Sequence, residues 1–523
     1  MDVGPTSTDA VLLDERARTG GVGTGGVGSG GVGAGSVGSG NVGSGTRNGS
    51  AGNHSTGDDS TGAGRDLVAV GVAKVPSVPD DAVASIIAAV SALPAGPRGR
   101  AVQLAVGLRA AARAVNERRG LAKVGVLRIG GAAADSVRPL FGWPSDLRDA
   151  VCAGYANVDG GSVLGPHGGM PLDREAVARF GARLAGRAEA FAVCGIFSPA
   201  DAGQEREAAE ILQAEAGPSV PVLLSGEVGT LGLLERENAT VLYAALRDLV
   251  VRIADELTAA LPLLGLAPGA SVLVTRHDGT LMSLDYLRRY PGLSLGSGPA
   301  CTLRGAGLLA GVSEAVVADI GGRRARVGVL TGGYPREAGA GERIGGVPVS
   351  IRIPDLLTVG LPPAGAPRQG LPPEPGAGPD PGPLSPARIA AHRELAEAVD
   401  RMQPAAGRLP VLLVGGGAST VPATALAGFD VVRPEHGGVA GAFGAAASPV
   451  GGHHERVVPP GPGFPARLAA ARDEVRELAR ASAVRAGADP RRVRTALEPD
   501  ISVPYLPGAT LLRARAAGPP LPL

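Results

Sequence analysis

Two short segments of the chain share a pattern of residues that could bind phosphate and a metal ion. Residues 2–13 read DVGPTSTDAVLL, and residues 319–330 read DIGGRRARVGVL. Each begins with an aspartate, an aliphatic residue and a glycine, then turns and ends in an apolar strand. Backbone amides in a glycine turn can bind phosphate oxygens, and carboxylates are suitable ligands for Mg²⁺. The pattern therefore predicts a nucleotide site with Asp2 and Asp319 as its catalytic and metal-binding residues.

The first of these loops contains most of the expected phosphate contacts. The candidate groups lie in Gly4, Thr6, Ser7, Thr8 and Asp9. Pro5 removes one amide donor from the turn. Only Met1 precedes Asp2, so the strand expected before the loop is almost absent and a start upstream of Met1 is an alternative. Considered alone, this segment fits an ordinary β-hairpin with a polar turn at least as well as a phosphate loop.

The second loop keeps two glycines but has lost its hydroxyl groups. Gly321 and Gly322 are the expected phosphate contacts, and Arg323, Arg324 and Arg326 follow them. Arginine can bind phosphate through two parallel hydrogen bonds, but its side chain is too long to form a close hydroxyl cradle. A strand–turn–strand with surface arginines explains the segment equally well.

A third glycine turn follows the apolar strand VLLV. Its residues are Gly415, Gly416 and Gly417, and the absence of side chains permits close approach to a ligand. We expect these glycines to bind the nucleotide. The sequence contains no GxxxxGK[ST] motif and no lysine beside a glycine turn, which excludes a P-loop nucleotidase.

Two further acidic residues are candidate catalytic groups. Glu237 lies at the start of an apolar helix in the segment LSGEVGTLGLLERENAT, and Asp278 lies in the segment HDGT after a strand. Ligand groups often follow strands in α/β proteins. The alternatives are ordinary ones, because acidic residues stabilise helix N-termini and Asp-Gly pairs are common in turns.

Strands and helices alternate along the chain and predict an α/β fold. Apolar strands such as AKVGVLRIG and AFAVCGIFS are separated by amphipathic helices, which is typical of parallel βαβ units. Residues 19–64 form a Gly/Ser-rich tract that we expect to be a disordered insertion in a hairpin, with a glycine-rich ligand loop as the alternative. The predicted domains are residues 1–172, a core of residues 173–450 with a Pro/Gly-rich loop at 360–385, and a helix-and-strand tail at 451–523.

The composition excludes several classes of function. A formal net charge of +1 gives no electrostatic argument for nucleic acid or an anionic membrane as a partner. Three widely separated cysteines argue against a disulfide framework or a cysteine zinc cluster. The sequence has no basic-then-apolar leader and no apolar run long enough to cross a bilayer. We therefore expect a cytoplasmic protein.

Taken together, these segments resemble the hydantoinase/oxoprolinase family, specifically its hydantoinase A type. The phrases that carry the resemblance are DVGPTSTDAVLL, IFSPADAGQEREAAEIL, GLLERENAT, HDGTLM, SGPACTLRGAGLL, VADIGGRRARVGVL and VLLVGGGAS. The resemblance implies an actin-like ATPase (ribonuclease H-like) fold, with two related halves around a nucleotide cleft. It also implies ATP and Mg²⁺, or another divalent metal, as cofactors.

The activity implied by the resemblance is ATP-dependent opening of a small cyclic amide, such as a hydantoin or 5-oxoproline, through phosphorylation of the amide oxygen. Members of the family often work with a second, separately encoded subunit, and a homo-oligomer is also compatible with the sequence. Glu237 and Asp278 would line the substrate or metal side of the cleft.

The sequence departs from the family pattern at both phosphate loops. Pro5 replaces a glycine, and Arg323, Arg324 and Arg326 replace hydroxyl or carboxyl residues. A Gly-rich turn expected after residues 353–355 is replaced by GLPPAG. The alternative function is therefore a catalytically weakened family member that acts as a ligand-binding or partner subunit. A sugar-kinase-like activity on the same architecture is a more distant alternative.

Overall fold

The computed structural model describes residues 1–522 except residues 5, 17–65, 162–168, 230–231, 340–341, 363–384, 406 and 504–506. The Gly/Ser-rich tract at 19–64 and most of the predicted loop at 360–385 lie outside the described residues. The strands are β1 (Asp2–Val3), β2 (Ser7–Arg16), β3 (Asp66–Pro76), β4 (Gln103–Leu108), β5 (Val124–Ile129), β6 (Cys152–Val158), β7 (Ala190–Gly195), β8 (Val222–Leu224), β9 (Ser271–Thr275), β10 (Leu281–Ser283), β11 (Ala315–Ile320), β12 (Arg324–Thr331), β13 (Tyr334–Pro335), β14 (Arg343–Ile344), β15 (Val347–Pro348), β16 (Leu356–Gly360), β17 (Val411–Val414), β18 (Val431–Val432), β19 (Val450–Val458), β20 (Arg494–Leu497), β21 (Ile501–Ser502) and β22 (Thr510–Gly518).

Helices connect and cover these strands. They are α1 (Ala82–Ser91), α2 (Ala95–Arg98), α3 (Ala110–Glu117), α4 (Ser145–Val151), α5 (Arg174–Leu184), α6 (Gly203–Ala216), α7 (Leu233–Ala260), α8 (Leu284–Arg289), α9 (Ser297–Ala310), α10 (Pro386–Met402), α11 (Ala440–Ala447) and α12 (Phe464–Arg485). None of the helices in the described residues is both long enough and apolar enough to span a membrane.

The largest sheet joins segments from both ends of the sequence. Its strand order is β20-β22-β19-β10-β9-β4-β1-β2-β3, with β21 paired to β22. Strands β1, β2 and β3 form an antiparallel meander, while β4 runs parallel to β1 and β9 runs parallel to β4. The segment 451–523, which the sequence predicted as a tail, contributes β20, β21, β22 and nearly all of β19 to this sheet.

A second sheet repeats the arrangement around the other Asp–Gly segment. Its order is β13-β12-β11-β17-β18, with β16 paired to β12. Strands β11, β12 and β16 form an antiparallel meander, and β17 and β18 follow in parallel beside β11. Both sheets therefore contain the strand order 3-2-1-4-5, in β3-β2-β1-β4-β9 and in β16-β12-β11-β17-β18.

A third sheet is fully parallel and is inserted in sequence between β4 and β9 of the first repeat. Its order is β6-β5-β7-β8, and its strands alternate with helices α4, α5 and α6. This is the βαβ arrangement that the strand–helix alternation predicted. Strands β5 and β7 are buried along their whole length, as expected for a parallel sheet covered on both faces.

Long helices and small residues hold the sheets together. Helix α7 begins beside the parallel sheet and is buried along most of its first half, where it packs among Trp143, Val347 and Leu295. Its second half packs against the core of the largest sheet. Helices α9 and α11 cross so closely that a Cβ atom on Gly305 would overlap the carbonyl oxygen of Ala440.

Candidate active site

The carboxylate of Asp2 lies at the centre of the first repeat. Asp2 stands on β1, between β2 and β4, and its side chain is only 9% exposed. Arg109, directly after β4, donates from Nε to Oδ1 at 3.2 Å and from Nη2 to Oδ2 at 2.5 Å. This charge-assisted pair is bidentate and therefore strong and directional. The negative charge of Asp2 raises the pKa of Arg109, which keeps the guanidinium charged.

Asp9 faces the same region from the neighbouring strand. It lies opposite Asp2 on β1 and opposite Lys74 on β3. Nζ of Lys74 is 2.9 Å from Oδ1 of Asp9. Burial raises the pKa of Asp9, and the ammonium of Lys74 opposes that rise. Nζ of Lys74 also lies 3.5 Å from the position that a Cβ atom on Gly416 would take.

Asp319 occupies the corresponding position in the second repeat. It stands on β11 opposite Arg326, and Nη1 of Arg326 is 3.8 Å from its Oδ2. Burial raises the pKa of Asp319 despite the nearby charges of Arg109 and Arg326. Burial also lowers the pKa of Arg326. Gly415 has a φ of +90°, and a Cβ atom there would overlap Oδ1 of Asp319, so only glycine fits this turn.

The two repeats meet at these charges. The carboxylates of Asp2, Asp319 and Asp9 all act on the charge of Arg109. Within the described residues, three carboxylates and three cations thus gather beside the turn at Gly415–Gly417. The structure brings together the acidic residues predicted from both Asp–Gly segments, together with the predicted third glycine turn.

The residues predicted to contact phosphate differ in their exposure and in their hydrogen bonds. In the first loop, Gly4 N donates to Ser7 O at 3.0 Å, and Thr8 is buried with its hydroxyl 2.9 Å from that of Ser77. Thr6 is exposed and Ser7 is half-buried. In the second loop, Gly321 N donates to Arg324 O at 2.9 Å, which closes an exposed turn that includes Gly322. The roles predicted for these residues stay predictions.

Glu237 lies in the interior, away from the gathered charges. It is fully buried on α7 and accepts hydrogen bonds from Nε and Nη2 of Arg128 on β5, both at 2.8 Å. The other side of the same guanidinium donates to the carbonyl oxygens of Ala134 and Val137. This buried ion pair joins helix α7 to the parallel sheet. The catalytic role predicted for Glu237 stays a prediction.

Asp278 is also held by its own neighbours. Its Oδ1 accepts from the backbone N of Thr280 at 2.9 Å and from the Thr280 hydroxyl at 2.6 Å. Nη2 of Arg276 lies 3.6 Å from Oδ2. The Arg276 guanidinium is the largest influence that holds the pKa of Asp278 far below its usual range, against the opposing effect of burial. The contacts are those of an Asp-Gly turn fixed by ion pairing, and its predicted catalytic role is likewise untested.

Sequence reasoning named Arg326 but did not find the other two cations of this site, Arg109 and Lys74. Arg109 follows the apolar strand QLAVGL, and Lys74 lies near the end of LVAVGVAKV. The available signal was a basic residue at the end of an apolar strand, where ligand groups often lie in α/β folds. No lysine is next to a glycine turn in the sequence, but in the fold the side chain of Lys74 lies beside Gly416.

The donor set does not fit the divalent metal predicted at Asp2 and Asp319. Among the described residues, no three His, Cys, Asp or Glu side chains gather in a way that could hold a metal ion. Both oxygens of Asp2 are bound by Arg109, and Arg326 stands beside Asp319. Hard cations need free oxygen ligands, whereas these oxygens already face positive charges.

The duplicated strand order, with the charged residues where the two repeats meet, defines an actin-like α/β fold and confirms the predicted fold class. Sequence comparison matches the hydantoinase/oxoprolinase N-terminal region at residues 59–216 and the hydantoinase/oxoprolinase domain at residues 236–365. The chain belongs to the hydantoinase/oxoprolinase family, as its sequence phrases predicted. A comparison with curated protein sequences found no significant match.

Two solved structures are similar to this chain. One is the ATP-dependent caprolactamase from Pseudomonas jessenii, with a TM-score of 0.66 and 16% identity over 86% of this chain and 85% of that one. The other is a nucleotide-free structure of acetone carboxylase from work on ATP-dependent acetone carboxylation. Its TM-score is 0.59, at 15% identity over 87% of this chain and 86% of that one. At these identities the likeness establishes the fold alone.

Proposed function

We propose that the protein is an ATP-dependent hydrolase that opens a small cyclic amide of the hydantoin or 5-oxoproline type. Family membership supports a substrate of this class. Two similar structures are of enzymes described as ATP-dependent, one of which acts on a caprolactam, itself a cyclic amide. The proposal does not extend to a particular substrate.

The observation that carries the proposal is the meeting of Asp2, Asp9 and Asp319 beside the turn at Gly415–Gly417. These residues come from two repeats of one fold, and a ligand bound between the repeats would contact both. The glycines permit close backbone approach, and the cations supply charge complementary to phosphate. ATP would supply, when bound, a phosphoryl group for the amide oxygen, which makes the amide carbon electrophilic enough for water to attack so that the ring C–N bond can break and phosphate is released.

The residues of the chain have separate roles in this proposal. Lys74 and Arg326 bind and orient phosphate oxygens, since each has a charged nitrogen beside the glycine turn or an aspartate of the site. Burial makes the carboxylate of Asp319 a stronger base than an exposed aspartate, so its Oδ1 can hold a proton from the attacking water. Glu237 fixes α7 through Arg128, and Asp278 fixes the turn after β9 through Thr280. Their catalytic role stays a prediction.

A second candidate function is supported by a specific observation. Arg109 and Arg326 stand against Asp2 and Asp319, the two residues expected to do chemistry. A carboxylate whose oxygens face an arginine is a poorer ligand for a metal ion. The protein would then be a catalytically weakened family member that binds a ligand or a second subunit.

Phosphate release separates the two candidates. Purified protein with ATP and Mg²⁺ is expected to release phosphate when a hydantoin or 5-oxoproline is added, and Asp319→Ala is expected to lower that rate about a hundredfold or more. Asp400→Ala, an exposed position on α10, is the matched control and should keep the wild-type rate. If phosphate release by the wild type stays at background with hydantoins and with 5-oxoproline while ATP still binds, the weakened family member replaces the hydrolase as the proposed function.

A further inference from the structure

The three carboxylates of the site each have a cation as their nearest charged partner. Arg109 binds Asp2 at 2.5 Å, Lys74 lies 2.9 Å from Asp9, and Arg326 lies 3.8 Å from Asp319. Each cation belongs to a different strand or strand end from its carboxylate. The site is therefore charge-balanced by the protein itself, without need of an added divalent ion.

The two repeats show how this balance arises. Asp2 is aligned with Gly107 on the parallel strand, and Asp319 with Val414. Two residues further on, the first repeat has Arg109 and the second has Gly416. The first repeat therefore has a guanidinium at the position where the second repeat has a glycine without a side chain. In the same way, Asp9 lies opposite Asp2 while Arg326 lies opposite Asp319.

The surroundings of the Asp2–Arg109 pair are shaped to hold it. A Cβ atom on Gly298 would stand 2.8 Å from Nε of Arg109, and one on Gly441 would stand 2.7 Å from Oδ2 of Asp2. A Cβ atom on Gly107 would stand 3.1 Å from Oδ1 of Asp2. Three glycines from three different elements therefore leave room for this ion pair. Such a fitted enclosure distinguishes the pair from a chance contact between exposed charges.

We propose that this cleft binds the phosphates of its nucleotide through Arg109, Lys74 and Arg326 and without a divalent metal ion. The inference rests on the proposed use of ATP. Arginine suits this role because it has more N–H donors than one carboxylate uses and remains charged when partly buried. The side chain of Arg109 is 26% exposed, and Asp2 accepts from its Nε and Nη2.

Binding of ATP measured by calorimetry with and without metal tests the inference on the unmodified protein. With excess EDTA, the dissociation constant for ATP is expected to stay within about threefold of its value in Mg²⁺, a difference below 1 kcal/mol. A site that needs the metal would lose about tenfold to a hundredfold in affinity. Binding only in Mg²⁺ would overturn the inference and leave the proposed ATP-dependent function standing.

Two variants change ATP affinity differently in a site that binds phosphate without metal and in a site where Asp2 is a metal ligand. Asp2→Asn should bind ATP in EDTA as tightly as wild type or more tightly, because it frees the charge of Arg109. If Asp2 were a metal ligand, the same change would weaken binding in Mg²⁺. Arg109→Lys, which keeps the charge but loses the bidentate fork, should weaken binding in EDTA about tenfold to a hundredfold.

The matched control is Asp80→Asn. Asp80 forms an Arg–Asp ion pair with Arg113 at 2.7 Å on the surface, and asparagine suits its φ of 59°. It should not change ATP affinity in either buffer. If wild-type protein binds no ATP in EDTA or in Mg²⁺, both the ATP-dependent function and this inference fail. If Asp2→Asn weakens binding in Mg²⁺ but not in EDTA, the inference alone fails.

Discussion

At the scale of single residues, burial and nearby positive charge act in opposite directions on the carboxylates of the site. Burial raises the pKa of Asp319 although Arg326 lies 3.8 Å away, and it raises the pKa of Asp9 although Lys74 lies 2.9 Å away. Arg109 binds Asp2 through two nitrogens, and the charge of Asp2 raises the pKa of Arg109. The guanidinium therefore stays charged. One repeat therefore holds a bidentate ion pair, and the other holds a loosely paired carboxylate whose pKa is raised by burial.

The acidic residues of the site and Arg326 could be predicted from sequence, but the partners of Asp2 and Asp9 could not. Asp2, Asp9 and Asp319 stand in recognisable loops, where local spacing carries the signal. Arg109 and Lys74 reach the site with long side chains from other strands, and no local pattern encodes that reach. Glu237 shows that local spacing can also be ambiguous. An acidic residue near a helix N-terminus has the same sequence pattern whether it faces a cleft or, as here, a buried arginine.

A buried histidine should make stability depend on pH. Burial lowers the pKa of His277 from its ordinary value of 6.5 to about 4, although the charge of Asp278 opposes this. Arg276, Arg352 and His453 also face it. Below pH 6.5 the unfolded chain takes up a proton that the folded protein refuses until about pH 4. The free energy of unfolding should fall by about 1.4 kcal/mol per pH unit in that window from this group.

Urea denaturation at pH 7.5 and pH 5 measures this slope. His277→Asn should be less sensitive to the drop in pH than wild type, because its side chain takes up no proton in either state. His436→Asn is the control, since His436 is 40% exposed at its side chain and its φ of 61° suits asparagine. Equal pH sensitivity in wild type and His277→Asn would contradict the prediction.

At the scale of elements, several phrases typical of the family form buried polar contacts and not an open site. Glu205 on α6 accepts from Gly195 N at 2.8 Å, from the hydroxyls of Ser198 and Ser225 at 2.7 and 2.5 Å, and from Gly226 N at 3.0 Å. Arg236 on α7 joins the same network through the Ser225 hydroxyl. A buried carboxylate must be satisfied in this way, so these phrases fix α6, β7 and α7 against each other.

The crossing of α9 and α11 depends on glycines at its closest point. Gly305→Ala should lower the free energy of unfolding by about 2–3 kcal/mol, because the new methyl group would overlap the carbonyl oxygen of Ala440. Helix propensity alone would favour alanine by about 1 kcal/mol. Thermal denaturation with Gly96→Ala as the control separates the effects, since Gly96 lies in helix α2 with no atom near its added Cβ. Equal stabilities of the two variants would disprove the close crossing.

At the scale of the whole molecule, the fold is two copies of one strand order, with a parallel sheet inserted in sequence between β4 and β9 of the first copy. The alternation of strands and helices predicted the parallel sheet, because βαβ units are local in sequence. The joining of residues 2–3, 103–108, 271–275 and 450–458 into one sheet was not predictable. Those contacts span most of the chain, and no local pattern determines which distant strands pair.

Removal of the Gly/Ser-rich tract tests its predicted role as an insertion. Arg16 on β2 and Asp66 on β3 already pair in register, so replacing residues 19–64 with Asn-Gly should preserve the hairpin. We expect the free energy of unfolding to be unchanged or to rise by up to about 2 kcal/mol, since a shorter loop costs less entropy to close. Denaturation and ATP binding are the measurements. Loss of ATP binding without loss of stability would show instead that the tract is a ligand loop.

The largest sheet also constrains the order in which the protein can fold during synthesis. Strand β1 begins at residue 2, yet β19 and β22, which extend the same sheet, end at residues 458 and 518. The parallel sheet of residues 124–224 is complete much earlier and can fold as the chain emerges from the ribosome. Before β19 is synthesised, the largest sheet ends at β10. The unpaired backbone groups of this edge strand can then pair with another chain.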